Sequence, residues 1–313
     1  MAGVTRKVLR LLVVLFAVSA FTFLLTSLLP GDPALSILGP SATPESVARV
    51  RHDLRLDKPL VVQYGHWVNG VFHGDLGRAY NNNEKVVDIL KERLPVTLEL
   101  LVLAQVLALA VAIPVGLYAA YRENRLSDKV ITGVSFSLLS IPDFVVAIVL
   151  VYFFAVRLKV LPASGFVHFS DSLTQNLRSM ALPTIALALA PAAVYSRLLR
   201  TDMIATLQED FILTARAKGM PTWRILLGHA LRPSSFSLLT VAGINTGALI
   251  GGAVIVEYLF ALPGMGFRVV DAISRREYLV VQGLVLVIAA GYVIANFLVD
   301  LLYSVVDPRI RNA

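Results

Sequence analysis

Long apolar stretches separated by short charged ones dominate the pattern along this chain. No charge occurs between Arg10 and Asp32, between Glu99 and Arg122, between Arg178 and Arg197, or between Glu277 and Asp300. Between Lys129 and Arg157 the only charge is Asp143, and between Arg232 and Arg268 it is Glu257. A helix rises 1.5 Å per residue, so about 20 apolar residues cross the roughly 30 Å of bilayer hydrocarbon. The pattern therefore predicts six membrane-spanning helices. A buried core helix would account for one such stretch but not for six. An even number of spans places both termini on the same side.

Arg6, Lys7 and Arg10 precede the first span and favour a cytoplasmic N-terminus. Lys and Arg divide equally between the two sides, fourteen and fourteen, until the long segment after the first span is set aside. Long loops obey the positive-inside rule poorly, and without this one the count is fourteen inside against six outside. Leu28-Leu29-Pro30-Gly31-Asp32 is a poor signal-peptide cleavage site, so the first span reads as a retained anchor.

Two segments outside the spans are too rich to be simple connectors. Pro30 to about Thr97 carries eight acidic and eight basic residues, with turn signals at Pro30-Gly31-Asp32-Pro33 and Asn81-Asn82-Asn83. It reads as an extracytoplasmic subdomain. Within it Ser41–Leu56 is helix-compatible, with Thr43 as cap, Pro44 at the first helical position and Glu45 in the first turn. Val86–Leu94 is apolar at helical spacing and leads into span two, with Pro95 marking the join. The second segment, about Arg197 to Arg232, is cytoplasmic and basic. Two short helices fit it, Leu207–Lys218 and one started by Pro221, with Gly219 as the turn between them. Ile225, Leu226 and Leu227 give the second an apolar side. A polar connection of this size either lies on the membrane surface or receives another protein. The predicted divisions are an anchor over 1–29, the subdomain over 30–97, a permease core over 98–304 with a coupling loop at 205–233, and a cytoplasmic tail over 305–313.

Composition narrows the chemistry. Hydrophobic residues make up 57% and charged residues 16%, against about 45–50% and 25% in ordinary soluble domains. There is no cysteine, which excludes thiol catalysis, disulfides and zinc–thiolate sites in this chain. The net charge of +7 is carried by residues flanking apolar runs, so it fits a membrane anchor and not nucleic-acid binding. No lysine follows a glycine, so the chain has no phosphate-cradling P-loop. The five histidines form no His-Glu-x-x-His, and no catalytic constellation stands out. The chain reads as neither an enzyme nor a metalloprotein. His66 and His73 lie two helical turns apart, but loop histidines explain them better than a metal does.

Asp143, after Ile141-Pro142, is the informative intramembrane charge. It lines a water-filled path, pairs to hold helices together, or sits nearer the membrane interface. Glu257, near the outer end of span five where the interface is wet, suits a structural or gating role. Asn245 in the same span is a further candidate for the path. Asn296 and Asp300 share one face of span six. Gly247, Gly251 and Gly252 permit close helix approach.

The cytoplasmic segment carries a recognisable signature. Asp210-Phe-Ile-Leu-Thr-Ala-Arg-Ala-Lys-Gly219, followed by His229-Ala-Leu-Arg-Pro233, resembles the EAA loop of ATP-binding-cassette importer permeases. Leu213 and Arg232 depart from the general motif, while Thr-Ala-Arg-Ala-Lys-Gly is the form of the peptide/nickel branch. Pro30-Gly-Asp-Pro33, Leu56-Asp-Lys-Pro-Leu60, Gly74-Asp-Leu-Gly77, Arg93-Leu-Pro-Val-Thr-Leu98, Leu161-Pro-Ala-Ser-Gly165 and Glu257-Tyr-Leu-Phe-Ala-Leu-Pro-Gly-Met-Gly266 agree along the chain. The whole is similar to a B-type permease subunit of dipeptide/oligopeptide importers.

That resemblance implies an all-α membrane protein of the type I ABC importer permease fold, in a prokaryotic plasma or inner membrane. It implies half of a translocation pore shared with a homologous C-type permease. Two ATPase domains, in one chain or two, would bind ATP and magnesium, while this chain binds no cofactor itself. An extracytoplasmic substrate-binding protein would deliver the peptide. Thr214, Ala215, Arg216, Ala217, Lys218, Gly219 and Trp223 would form the ATPase-coupling surface, and Asp143, Asn245 and Glu257 the candidate path or gate. Nickel or glutathione import shares the motifs. An ATPase-independent secondary transporter would suit six spans but would not need the EAA-like loop.

Overall fold

The computed structural model describes the backbone over 2–28, 33–38, 42–53, 57–80 and 82–306, and side chains over 13–299 apart from some positions within those ranges. Nearly all of the described chain is helical. The helices are α1 (Ala2–Leu28), α2 (Pro33–Leu38), α3 (Pro44–Asp53), α4 (Leu60–Phe72), α5 (Val86–Tyr121), α6 (Leu126–Ser140) and α7 (Asp143–Leu150). They continue as α8 (Leu173–Thr206), α9 (Asp210–Ala217), α10 (Thr222–Arg224), α11 (Leu231–Phe260), α12 (Met265–Ser274) and α13 (Tyr278–Val306). Wider π-helical turns extend α7 over Val151–Arg157 and join α10 to α11 over Ile225–Ala230.

Four of these helical stretches are each long and apolar enough to cross a membrane: Val86–Tyr121, Leu173–Thr206, Thr222–Phe260 and Tyr278–Phe297. In α1 the apolar run with described side chains is Val13–Ser27. The remaining expected span, between Lys129 and Arg157, is not one straight helix. It is a pair, Leu126–Ser140 and Asp143–Arg157, bent by 104°. Pro142 is the cause. It lacks an N–H, and its ring pushes the preceding residue out of helical geometry. Ile141 is accordingly extended at φ −100°, ψ 124°.

Two further expectations are corrected. Pro95 does not mark a join, because α5 runs through it without a break. The second short cytoplasmic helix is not separate, because Thr222–Phe260 is continuous with the fifth span. The capping expected at Thr43 is present: Ser46 N–H donates to Thr43 Oγ1 at 3.2 Å, and Thr43 N–H donates back to Ser46 Oγ at 2.9 Å. This is a reciprocal capping box with serine in the acceptor role. The helix is Pro44–Asp53, while Ser41 and 54–56 lie outside the described residues, as do Pro30-Gly31-Asp32, Asn81 and 307–313.

The chain forms two compact units. One comprises Met1–Thr97 and Pro263–Ile294, the other Leu98–Leu262 and Ala295–Ala313. In the first, Val86, Ile89 and Leu90 pack with Val269, Ala272, Val280 and Leu284, so the segment after span one shares its core with α12 and the start of α13. Asn82 and Asn83 make the expected turn, with Asn83 at φ 56° and Ala79 N–H donating to Glu84 C=O at 2.8 Å.

In the second unit α8 is central and packs against α6, α7 and α11. Tyr195, Leu199 and Met203 on α8 are fully buried. Ala104, Ala108 and Ala112 of α5, four residues apart, are also fully buried. Gly116 continues that row, and a Cβ there would stand 2.8 Å from Ser196 C=O on α8. Small residues at this spacing let helix backbones meet closely where lipid supplies no hydrophobic drive.

Candidate functional site

The cytoplasmic segment is built by a helix stop. Helix α8 ends at Thr206, and Leu207–Glu209 turn the chain before α9, so the first short helix begins at Asp210 and not at Leu207. At its far end Gly219 adopts φ +73°. Gly219 N–H donates to Arg216 C=O at 2.9 Å, and Met220 N–H to Ala215 C=O at 3.2 Å. This pair of bonds is a Schellman motif, which needs a left-handed residue where glycine suffers no Cβ penalty. Pro221 then opens the next helix at φ −66°.

This geometry sorts the expected coupling residues. Ile212 and Ala215 are buried and belong to the same core as Leu199, Met203 and Ile225, with α9 packed on the Ile225–Ala230 turns. Ala215 therefore holds the segment in place and presents nothing outward. Thr214, Arg216, Ala217, Lys218, Gly219 and Trp223 are all exposed. Trp223 is 60% exposed, with the Arg224 guanidinium 5.4 Å from its ring centre. Phe211 and Leu213 beside them are exposed as well. An apolar and basic surface, carried on a helix anchored by two buried side chains, is suited to receive another protein. Under it lies a cleft of about 690 Å³, bounded by Tyr121, Glu123 and Arg125 on one side and by Leu207, Arg216 and Thr222 on the other.

The three intramembrane candidates occupy different surroundings. Asp143 sits in the first turn of α7, just past the break, where a carboxylate complements the helix dipole. It is half-buried, and its Oδ2 lies 3.4 Å from where a Cβ on Gly252 would stand. Gly252 is the point of close approach, since Leu187 of α8 would meet the same Cβ at 3.0 Å, whereas Gly251 faces open space. Glu257 is fully buried, which corrects its expected wet position. Its backbone C=O accepts from Leu262 N–H at 2.9 Å, closing α11 around Ala261 at φ 51°. Asn245 stands near the Tyr195 hydroxyl. Tyr195 donates to Gln105 Oε1 at 3.2 Å, and Gln105 Nε2 donates to Ala242 C=O at 3.2 Å. A polar network thus ties α5, α8 and α11 together within the second unit. Asn296 is half-buried, and the side chain of Asp300 lies outside the described residues.

Some residues with evident roles escaped the sequence reading. Asp128, at the start of α6, is paired with Arg200 of α8 through two bonds of 2.5 and 2.6 Å, and Asn124 N–H donates to the same carboxylate at 3.0 Å. Gln105 was visible as a lone amide in an apolar run. The pairing of Asp128 with a residue 72 positions away was not. In the first unit Arg268 bridges Asp271 and Glu277. Burial, reinforced by neighbouring Tyr278 and Glu277, holds the Tyr80 phenol well above its ordinary value.

Comparison with known proteins identifies this architecture. The family model described as "Binding-protein-dependent transport system inner membrane component" matches residues 112–312, and its N-terminal companion matches residues 1–101. The chain belongs to the binding-protein-dependent transport system inner-membrane component family. A peptide transport system permease protein of Brucella abortus (strain 2308) is 42% identical over 310 residues, 99% of each chain. A peptide ABC transporter permease of Sinorhizobium fredii (strain NBRC 101917 / NGR234) is 38% identical over 308 residues, 98% of each. The dipeptide transport system permease protein DppB of Escherichia coli (strain K12) is 37% identical over 319 residues, 94% of each. As a member of this permease family the chain is a multi-pass inner-membrane transport component and not an enzyme. Such importers work with an ATPase and a substrate-binding protein.

Proposed function

We propose that this permease forms half of the translocation path of an ATP-driven peptide importer. The observation that carries the reading is full-length similarity to permeases named for peptide and dipeptide transport, combined with an exposed α9–Gly219–Trp223 surface. The other half of the path is a homologous permease of the C type. Two ATPase domains, carrying ATP and magnesium, seat the α9 segment from the cytoplasm. Arg216, Lys218 and Trp223 supply its outward contacts, and Gly219 fixes the turn that presents them. Both termini face the cytoplasm, and the segment after span one faces the binding protein.

Because Ile212 and Ala215 of α9 belong to the buried cluster that also holds Leu199 and Met203 of α8, and α9 packs on the Ile225–Ala230 turns, a push on its outer face is passed to that core. Helix α8 packs on α7 and α11, so that push reaches Asp143 and Gly252. Asp143 then serves as a polar group on the path, at the break in span three. Competition uptake tests the substrate. Cells lacking this chain, complemented with it, are given a labelled tripeptide challenged by unlabelled di- to hexapeptides, glutathione and nickel salts. Restored uptake with competition by peptides is expected. A signal restored for nickel or glutathione alone would overturn the substrate assignment and leave the family intact.

A further inference from the structure

Helix α4 lies in the sequence segment read as extracytoplasmic, yet its packing is that of a helix at membrane depth. At 3.6 residues per turn its surface divides into three stripes. Tyr64, Trp67 and Val71 form the first, which faces α1: Tyr64 Oη and Ser19 Oγ are 2.8 Å apart, and the Tyr64 and Trp67 rings lie 5.3 and 6.5 Å from that of Phe23. Val61, Gly65, Val68 and Phe72 form the second. Among the described residues nothing covers its ends, where Val61 is 82% and Phe72 85% exposed. His66, Asn69 and His73, with Val62 between them, form the third, exposed and mostly polar.

The contacts with α1 set the depth. At 1.5 Å per residue, Ser19 lies about 13.5 Å and Phe23 about 7.5 Å along the axis from the Leu28 end of α1. The uncharged run of α1 extends beyond Leu28 to Asp32. One leaflet's hydrocarbon is about 15 Å thick, so Ser19 and Phe23 lie inside it, and Phe16, whose ring is 6.2 Å from that of Tyr64, lies at its inner limit about 18 Å from the Leu28 end. Helix α1 itself exposes Phe21, Leu24 and Leu25 on another face. A helix with one face on a membrane span, one apolar face open beside it and one polar face opposite has the amphipathic pattern of an interfacial helix. Asp57 and Lys58 before it and Asp75 and Arg78 after it mark where the chain returns to water.

We propose that α4 is a lipid-seated interfacial helix, with Val61, Val68 and Phe72 in the phospholipid acyl chains of the leaflet where α1 ends, and His66 and Asn69 towards water. It braces α1 from the side and fixes the height at which the following segment leaves the membrane.

The absence of native cysteine makes the test direct. Single variants Val61→Cys, Phe72→Cys, His66→Cys and Asn69→Cys are purified as the full chain with its co-assembling subunits in phospholipid nanodiscs, where both faces meet solvent. Each is treated with a hydrophilic maleimide, and the mass shift of this chain is followed. Labelling at 66 and 69 should be at least about ten-fold faster than at 61 and 72. Equal rates at all four positions would overturn the proposal. Slow labelling at 61 and 72 could also arise from a protein partner, so p-benzoylphenylalanine at Val61 or Phe72 is photolysed in the same discs. Lipid adducts without a protein adduct support the proposal. A cross-link to another subunit overturns it.

Discussion

Gly219 shows at the scale of one residue what the sequence could and could not disclose. Its left-handed conformation was legible, because a glycine between an apolar helix and a proline two residues on has few other uses. A Cβ at this position would meet nothing within 4 Å, so substitution strains the backbone without a clash. Gly219→Leu should cost about 1–2 kcal/mol locally, leave membrane insertion intact, and uncouple ATP hydrolysis from transport. Gly219→Asn, which tolerates the same conformation, should retain more coupling. Substrate-stimulated ATPase rates of the purified complex measure both, and normal coupling in the Leu variant would count against the segment's role. Glu257 was not legible in this way. Its place in the run suggested a wet interface, but burial is set by what α11 packs against, and nothing in spacing reports that. For Asp143 the sequence identified the residue, and the structure supplied its neighbours, Gly252 and the break at Pro142. Asp143→Ala should lower peptide uptake more than it lowers complex assembly. Unchanged uptake kinetics in an assembled complex would remove it from the path.

Helix existence was legible wherever an apolar run was long, because a bilayer imposes one length and one way to satisfy the backbone. Helix continuity was less legible, since proline acts differently in different places. At Pro95 the helix continues, whereas at Pro142 it turns by 104°. The pairing of Asp128 with Arg200 was beyond reach, because it depends on α6 and α8 lying side by side. Its energetic consequence is testable. Asp128 has only 3% of its side chain exposed, so Arg200→Ala leaves a buried carboxylate without its partner. Removing one member of a buried pair costs about 3–5 kcal/mol. The variant should melt at clearly lower temperature in detergent, and the double variant Asp128→Leu/Arg200→Met should recover most of the loss. A single variant that melts with the parent would show that the pair does not hold α6 to α8. The Tyr195 network should matter less. Hydrogen bonds between membrane helices average about 0.6 kcal/mol, and Tyr195→Phe should shift stability by no more than about 1.7 kcal/mol in the same assay.

For the whole molecule, the proposed function gives the chain half of a membrane path and a surface to be pushed, while its sequence holds no phosphate-binding loop to power either. The family was legible because motifs at the ends of spans are dictated by turns and caps. The two compact units were not, since the first joins segments from opposite ends of the sequence. Their shared helices α5 and α13 each begin in one unit and continue into the other, which no local pattern announces. The central claim is that transport through this permease is driven by ATP and received at the α9–Trp223 surface. Its most direct test is peptide accumulation in proteoliposomes holding the purified complex, with the binding protein outside the path and ATP supplied to the ATPase side. Accumulation that requires both ATP and the binding protein, and is lost in the Gly219→Leu variant, is the predicted result. Accumulation driven by an ion gradient without ATP would contradict the account.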